Sequence, residues 1–323
     1  MDNKSLRLVF FGTPDFAAHA LEKLVEEQYN IVGVVTATDK PAGRGNKLRA
    51  SAVKEMALKH GLPLLQPPNL KAPDFLADLK TWQADLQIVV AFRMLPETVW
   101  SAPPMGTFNL HASLLPQYRG AAPINWAIMN GETESGVTTF FLQHEIDTGA
   151  ILLQQKTTIA PNETVGQLHD KLMLMGADLI LKTVDSIAEG QTNGTDQSAY
   201  LEESGPLKSA PKLFKPDCRI NWNSAGKSIH DHVRGLNPFP TATTLLTYPD
   251  GTEVPLKVYE VVAEKENADA LPGTVQTDGK TYLKVACADG YISLLQLQQA
   301  GKKRMGISDF LRGFDTADSL TAH

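Results

Sequence analysis

The chain has 323 residues, a formal net charge of −6, and 42% hydrophobic against 20% charged residues, the balance of a folded, soluble protein for which two domains are the better prior. The longest apolar runs, such as Leu86–Phe92, are far shorter than a membrane span, and Cys218 and Cys287 are too few for a disulfide framework. The N-terminus enters a strand-like run almost at once, so no signal peptide and a cytoplasmic location are expected.

In chain order, Leu8–Phe11 reads as a short buried strand ending at Gly12, and Pro14 opens an amphipathic helix to Glu27. Ile31–Val35 is the next strand, Ala52–His60 a helix closed by Gly61, and Leu86–Ala91 and Thr107–Leu110 are further strands. Short apolar strands alternating with helices predict an α/β domain with a parallel sheet covered on both faces. Ligands of such sheets bind beyond the carboxyl ends of the strands, here at Gly12–Asp15, Ala91–Leu95 and His111–Arg119.

Gly136–Gln143 and Ala150–Thr158 read as longer strands joined through Glu145–Gly149. From Thr164 to about Glu189 a long helix carries Leu168, Leu172, Met175, Leu179 and Ile180 at helical spacing. The polar stretch Gly190–Gly205 reads as a linker. Beyond it come a helix, Ala225–Leu236, and short strands at Ala242–Thr247, Leu256–Ala263, Gly273–Gln276, Tyr282–Ala286 and Tyr291–Leu297. Short strands punctuated by Gly and Pro predict a small β-barrel or sandwich. The expected division is a domain at 1–189, a linker at 190–207, a second domain at 208–315 and a tail at 316–323.

Charge is unevenly spread. Residues 1–204 carry 16 basic against 23 acidic side chains, and residues 205–323 carry 14 against 13. One basic island holds Lys40, Arg44, Lys47, Arg49, Lys54 and Lys59, another Lys208, Lys212, Lys215, Arg219, Lys227 and Arg234. Such islands hold a polyanion locally on an acidic chain, or are solvated faces.

Phe11-Gly12-Thr13-Pro14-Asp15 occupies the place of a dinucleotide fingerprint but has one glycine where three are needed, so no nicotinamide cofactor is expected. The densest polar group is Asn109-Leu110-His111-Ala112-Ser113. Residues two apart on a strand share a face, so Asn109 and His111 project together, an amide donor for a developing oxyanion beside a group that moves protons near neutral pH. Asp147, in Glu145-Ile146-Asp147-Thr148-Gly149, is either a turn former with Gly149 supplying a positive φ, or a carboxylate facing His111. Ser113 lacks a nucleophile elbow, and His230 and His232 lie on different sides of a helix, so neither a serine hydrolase nor a metal site is expected.

The string Asn109-Leu110-His111-Ala112-Ser113-Leu114-Leu115-Pro116, with Tyr118-Arg119-Gly120-Ala121-Ala122-Pro123 and the later Asp147-Thr148-Gly149, closely resembles the 10-formyltetrahydrofolate-dependent formyltransferase family. Two features resemble the branch acting on methionyl-tRNA: the insertion from Asp39 to Leu48, and a second domain with Ile220-Asn221-Trp222 and Arg234-Gly235-Leu236-Asn237-Pro238-Phe239-Pro240. The resemblance implies a Rossmann-like formyltransferase domain followed by an OB-like β-barrel, and formyl transfer from 10-formyltetrahydrofolate to the α-amine of initiator methionyl-tRNA. It implies a catalytic set of Asn109, His111 and Asp147, with folate contacts at Ser113, Leu114, Leu115 and Pro116 and at Phe92, Arg93, Met94 and Leu95. It implies tRNA contacts at Arg44, Lys40, Lys47, Lys208, Lys212 and Lys215, with Arg44 reading the unpaired end. No metal and no membrane partner are expected, and a monomer is. Formylation of an amino sugar or a purine precursor, hydrolysis of the folate, and tRNA binding without turnover remain alternatives.

Overall fold

The structure, a computed structural model, describes residues 3–42, 47–191, 194–265, 270–314 and 320–323. The chain divides into two compact units, one formed by 1–120, 135–157 and 169–209, the other by 121–134, 158–168 and 210–323. The stretch expected as a linker thus falls in the first unit. Among the described residues no helix is long and apolar enough to cross a membrane.

The chain starts with β1 (Leu8–Gly12), α1 (Asp15–Glu26) and β2 (Ile31–Val35), then a short hairpin of β3 (Lys40–Ala42) and β4 (Lys47–Arg49). Next come α2 (Ala52–Lys59), β5 (Leu64–Leu65), α3 (Pro73–Thr81), β6 (Leu86–Val90), α4 (Glu97–Trp100), β7 (Thr107–His111) and β8 (Arg119–Gly120). After α5 (Pro123–Met129), which belongs to the second unit, follow β9 (Glu134–Phe141), β10 (Ile151–Thr158), α6 (Val165–Ala188) and α7 (Leu201–Ser204). α6 opens with a capping box, in which Thr164 N donates to Gln167 Oε1 and Gln167 N to Thr164 Oγ1.

Seven strands form one sheet in the order β10-β9-β7-β6-β1-β2-β5. The pairs β1–β2, β1–β6, β6–β7 and β2–β5 are parallel, and β9 runs antiparallel to β7. β1 and β6 are buried along their whole length, which is why β1 reads as an unbroken apolar run and β6 as one broken only at Gln87. Gln87, the polar interruption in β6, accepts from the Thr107 hydroxyl at 3.0 Å across the strand pair. Strand order reverses between β1 and β6, so their carboxyl ends frame the ligand crevice of a Rossmann-like sheet. A Cβ on Gly12 would sit 2.6 Å from the Ala17 Cβ, so only glycine lets α1 start this close to β1.

β11 (Ser209–Ala210) follows, and the second unit adds α8 (Gly226–Gly235), β12 (Ala242–Thr247), β13 (Glu253–Glu264), β14 (Val275–Thr277), β15 (Leu283–Cys287), β16 (Gly290–Gln299), β17 (Met305–Gly306), α9 (Ile307–Leu311) and β18 (Thr321–Ala322). An antiparallel sheet in the order β14-β15-β16-β13-β12-β18 encloses Trp222, Ile229, Val233, Val258, Val285 and Leu297. Its edges meet: Thr274 bridges to Thr321, Val275 N donates to Leu320 O at 3.1 Å, and Ala322 N to Gly273 O at 2.7 Å. The sheet is therefore a nearly closed barrel. Of residues 316–323, expected as a tail, the described part, 320–323, carries the strand β18 that closes the barrel, with Leu320 and Ala322 buried.

Candidate active site

β7 ends at His111, with its backbone held between parallel β6 and antiparallel β9. That leaves Asn109 half-buried and His111 only 6% exposed on one strand end. His111 Nε2 lies 2.8 Å from the Tyr118 carbonyl, which can only accept, so Nε2 carries a proton. Nδ1 faces Asp147 Oδ2 at 3.8 Å. The Phe140 ring meets the imidazole edge to face, 6.5 Å between centroids. The same Asp147 oxygen accepts from Gly120 N at 2.9 Å. Residues 118–120 thus touch both partners, and the structure brings together the histidine and the carboxylate that the sequence leaves far apart.

The turn differs from its expected chemistry. Asp147 itself takes the positive φ, 56°, while Gly149 has none. Gly149 is required for another reason: a Cβ there would lie 1.7 Å from the Phe141 carbonyl.

Ser113, Leu115 and Pro116 are buried and Leu114 half-buried. Ser113 Oγ donates to Gln117 O at 2.7 Å. Thr138 Oγ1, on β9, donates to Ser113 O at 2.6 Å and accepts from Leu115 N at 3.2 Å. Gln154, on β10, donates to Leu115 O at 2.7 Å and to the Thr138 hydroxyl at 3.0 Å. The Ser113 hydroxyl holds the loop from within, and Thr138 and Gln154, which the sequence pattern did not single out, clamp it to the sheet.

Beyond β6, Ala91 sits at φ 46° and turns the chain into Phe92–Leu95. Arg93 donates to the carbonyls of Pro68, at 2.9 Å, and Pro67, so its guanidinium braces the loop. Phe92 packs edge to face on Phe11, Met94 is 71% exposed and Leu95 is buried. Pro68, Leu70, Lys71, Arg93, Met94 and Leu95 line part of a cavity of about 660 Å³, within the range of small-molecule sites.

Among the residues expected to meet tRNA, Arg44 lies outside the described residues. Lys40 is exposed on β3, and Lys47 lies on β4 opposite Ala42. Lys208 is exposed in the first unit, where its amide donates to Gln117 Oε1 at 2.8 Å. Lys212 and Lys215 are exposed in the second unit, Lys212 over the ring of Phe214 at 5.6 Å. Lys215, Arg219 and Lys257 line a separate cleft of about 700 Å³ on the barrel, with Gln298 and Gln299. Lys257 was not singled out by sequence, because a lone lysine on an alternating strand carries no local signal. Among the described residues, no group of His, Cys, Asp and Glu is placed to hold a metal ion.

A Rossmann-like sheet followed by a small barrel is the architecture that this chain shares with solved formyl transferases. The chain belongs to the formyl transferase family, whose principal domain matches residues 6–184 and whose C-terminal domain matches residues 212–315. The methionyl-tRNA formyltransferase of Bacteroides thetaiotaomicron is 55% identical over 320 residues, 98% of each chain. That of Parabacteroides distasonis is 54% identical over 315 residues, 97% of each. Among solved structures, a sugar 3N-formyl transferase determined in the presence of dTDP and 5-N-formyl-THF shares the fold, with a TM-score of 0.64 and 17% identity over 92% of this chain and 99% of that one.

Proposed function

We propose that this protein transfers the formyl group of 10-formyltetrahydrofolate to the free α-amine of initiator methionyl-tRNA, and that Asn109, His111 and Asp147 carry the step. The observation that supports the residue roles most directly is the Asp147 carboxylate facing His111 Nδ1 at 3.8 Å.

The α-amine attacks the formyl carbon, a C–N bond forms and the carbonyl oxygen becomes an oxyanion. The Asn109 amide donates to that oxygen from a fixed strand position, and His111, once it has taken the proton of the attacking amine, supplies a second donor. The ammonium formed on attack loses a proton. Collapse of the intermediate breaks the bond to N10 of the folate, which takes a proton. His111 Nδ1 moves the proton between them, because Nε2 is committed to Tyr118 O. Asp147 orients the ring.

The 113–116 ledge and the 92–95 loop, with the cavity it borders, hold the folate. Lys40, Arg44 and Lys47 of the insertion, with Lys208, Lys212 and Lys215, meet tRNA phosphates, while Arg44 reads the unpaired end. The protein acts in the cytoplasm as a monomer, since one chain supplies the whole Asn109–His111–Asp147 set.

Transfer of labelled formyl from 10-formyltetrahydrofolate, with charged initiator and elongator methionyl-tRNA offered separately, tests the reading. Label on the initiator alone is expected. No label on either, with folate still bound, points to an amino-sugar acceptor instead.

A further inference from the structure

We propose that Gln197, in the stretch that reads as a linker, is a positioning residue for formyl transfer: it holds the 147–149 turn so that the Asp147 carboxylate stays aimed at His111. This rests on the role given to Asp147 above.

Gln197 is 3% exposed although its neighbours are polar and mostly open to solvent. Both ends of its amide are used. Nε2 donates to Asp147 O at 2.8 Å and to Gly149 O at 2.9 Å. Oε1 accepts from Arg119 Nε at 3.1 Å and Nη2 at 2.6 Å. These four bonds meet the whole capacity of a carboxamide, so its orientation is determined.

The bonds complete a bracket. Tyr118 O holds His111, Gly120 N holds the Asp147 carboxylate, and Arg119 between them reaches through Gln197 to the backbone beneath that same carboxylate. Asp147 needs such support. At φ 56° it occupies the left-handed region, which residues with a Cβ seldom adopt unless their surroundings hold them there. A turn free to relax would swing the side chain away, because its direction is fixed by the backbone.

Gln197 is not needed to anchor its own segment. Thr195 pairs with Ile151 through two backbone bonds of 2.8 and 2.7 Å, and Asp196 caps the following helical turn by accepting from Ser198 N. A substitution at 197 therefore removes the hold on the turn and leaves the segment in place.

The test is a double-mutant cycle read by single-turnover formyl transfer at high enzyme concentration, with KM for folate and tRNA measured alongside. Gln197→Leu is expected to lower the transfer rate roughly 10- to 100-fold with both KM values little changed, as for a reacting group displaced by about 1 Å. In an Asp147→Ala background the same substitution is expected to cost nothing further, since the residue it positions is gone. An equal loss in both backgrounds, or no loss in either, overturns the proposal. If Gln197→Leu does not fold, Gln197→Glu takes its place: it keeps Arg119 as an ion pair and sets an acceptor oxygen against the Asp147 and Gly149 carbonyls where the amide donated to them. The two readings separate cleanly. Full activity of folded Asp147→Ala sinks the role of Asp147 and this inference with it, whereas an impaired Asp147→Ala with additive losses sinks Gln197 alone.

Discussion

His111 is 6% exposed and meets fixed groups on every side: the Tyr118 carbonyl, the Asp147 carboxylate and the Phe140 ring. Lys212, Lys215, Arg219 and Lys257 of the second unit are exposed, on flexible stems. Proton transfer and oxyanion stabilisation fail when a donor is displaced by a fraction of an ångström, so the first group is built from backbone contacts and buried hydrogen bonds. Attraction of a polyanion acts over the screening length, about 10 Å at 0.1 M salt, and asks only that charge of one sign be present. Substitutions should therefore act on rate in the first region and on salt-dependent binding in the second.

The largest effect is expected from His111→Ala, which in the proposed mechanism removes the proton relay and one oxyanion donor. Single-turnover transfer should fall by roughly 10²- to 10⁴-fold while tRNA affinity and its salt dependence stay as they are. An unchanged rate would break the comparison at its first term.

Asp231 sharpens the comparison, because it is a charge of the barrel unit that is buried. It pairs with Arg234 at 2.8 Å and Lys227 at 2.6 Å, and Arg234 also donates to Glu163 O. Burial opposes its ionisation, but hydrogen bonds from His230, Lys227 and Arg234 outweigh that and lower its pKa from 3.8 to about 2. A depressed carboxylate pKa stabilises the folded state above the unfolded value, and that contribution is lost as pH falls from about 4 towards 2. Asp231→Ala leaves Arg234, 6% exposed, without its counter-charge, and should cost about 3–5 kcal/mol in denaturant unfolding at neutral pH. It should also flatten the acid limb of the stability profile. A loss as small as that of an exposed pair would show the cluster to be solvated.

A smaller loss is expected at Thr138→Val, which keeps the shape of β9 and removes the hydroxyl shared by Ser113 O, Leu115 N and Gln154. Stability should fall by about 1–3 kcal/mol, the cost of leaving buried polar groups unpaired. If the 113–116 ledge carries the folate, KM for the donor rises as well. A stability loss with unaltered KM would confine Thr138 to the scaffold.

Much of this was legible in the sequence, and what was not has physical reasons. Apolar runs at Leu8–Phe11 and, broken only by Gln87, at Leu86–Ala91 revealed strands buried on both faces, and the two-residue spacing of Asn109 and His111 placed them on one strand end. Local turn chemistry put the positive φ on Gly149, whereas the close approach of Phe141 takes the glycine there and leaves the strained conformation to Asp147. Gln197 was hidden because a polar residue among polar residues looks solvated, and only the folded turn shows that its amide is buried. Leu320–Ala322 was read as tail because three residues carry no period, yet they close the barrel. α3 and α5, both opened by a proline at the first turn, are too short for their amphipathic pattern to stand out.

The smallest expected effects come from the barrel cleft, and they are the ones that complete the comparison. Each phosphate neutralised by a lysine or arginine releases condensed counterions, so the slope of log affinity against log salt reports how many cations touch phosphate. Lys215→Ala, Arg219→Ala and Lys257→Ala should each weaken tRNA binding uniformly across sequences and reduce that slope by about 1. At saturating tRNA the transfer rate should be unaltered, since none of these groups belongs to the His111 cluster. Initiator and elongator tRNA should lose affinity alike, because a phosphate contact carries no base identity. If the triple variant kept the wild-type slope, the cleft would lie off the path of the nucleic acid. A fall in the saturated rate instead would mean that these exposed cations do more than attract, and the division between a positioned region and a merely charged one would no longer hold.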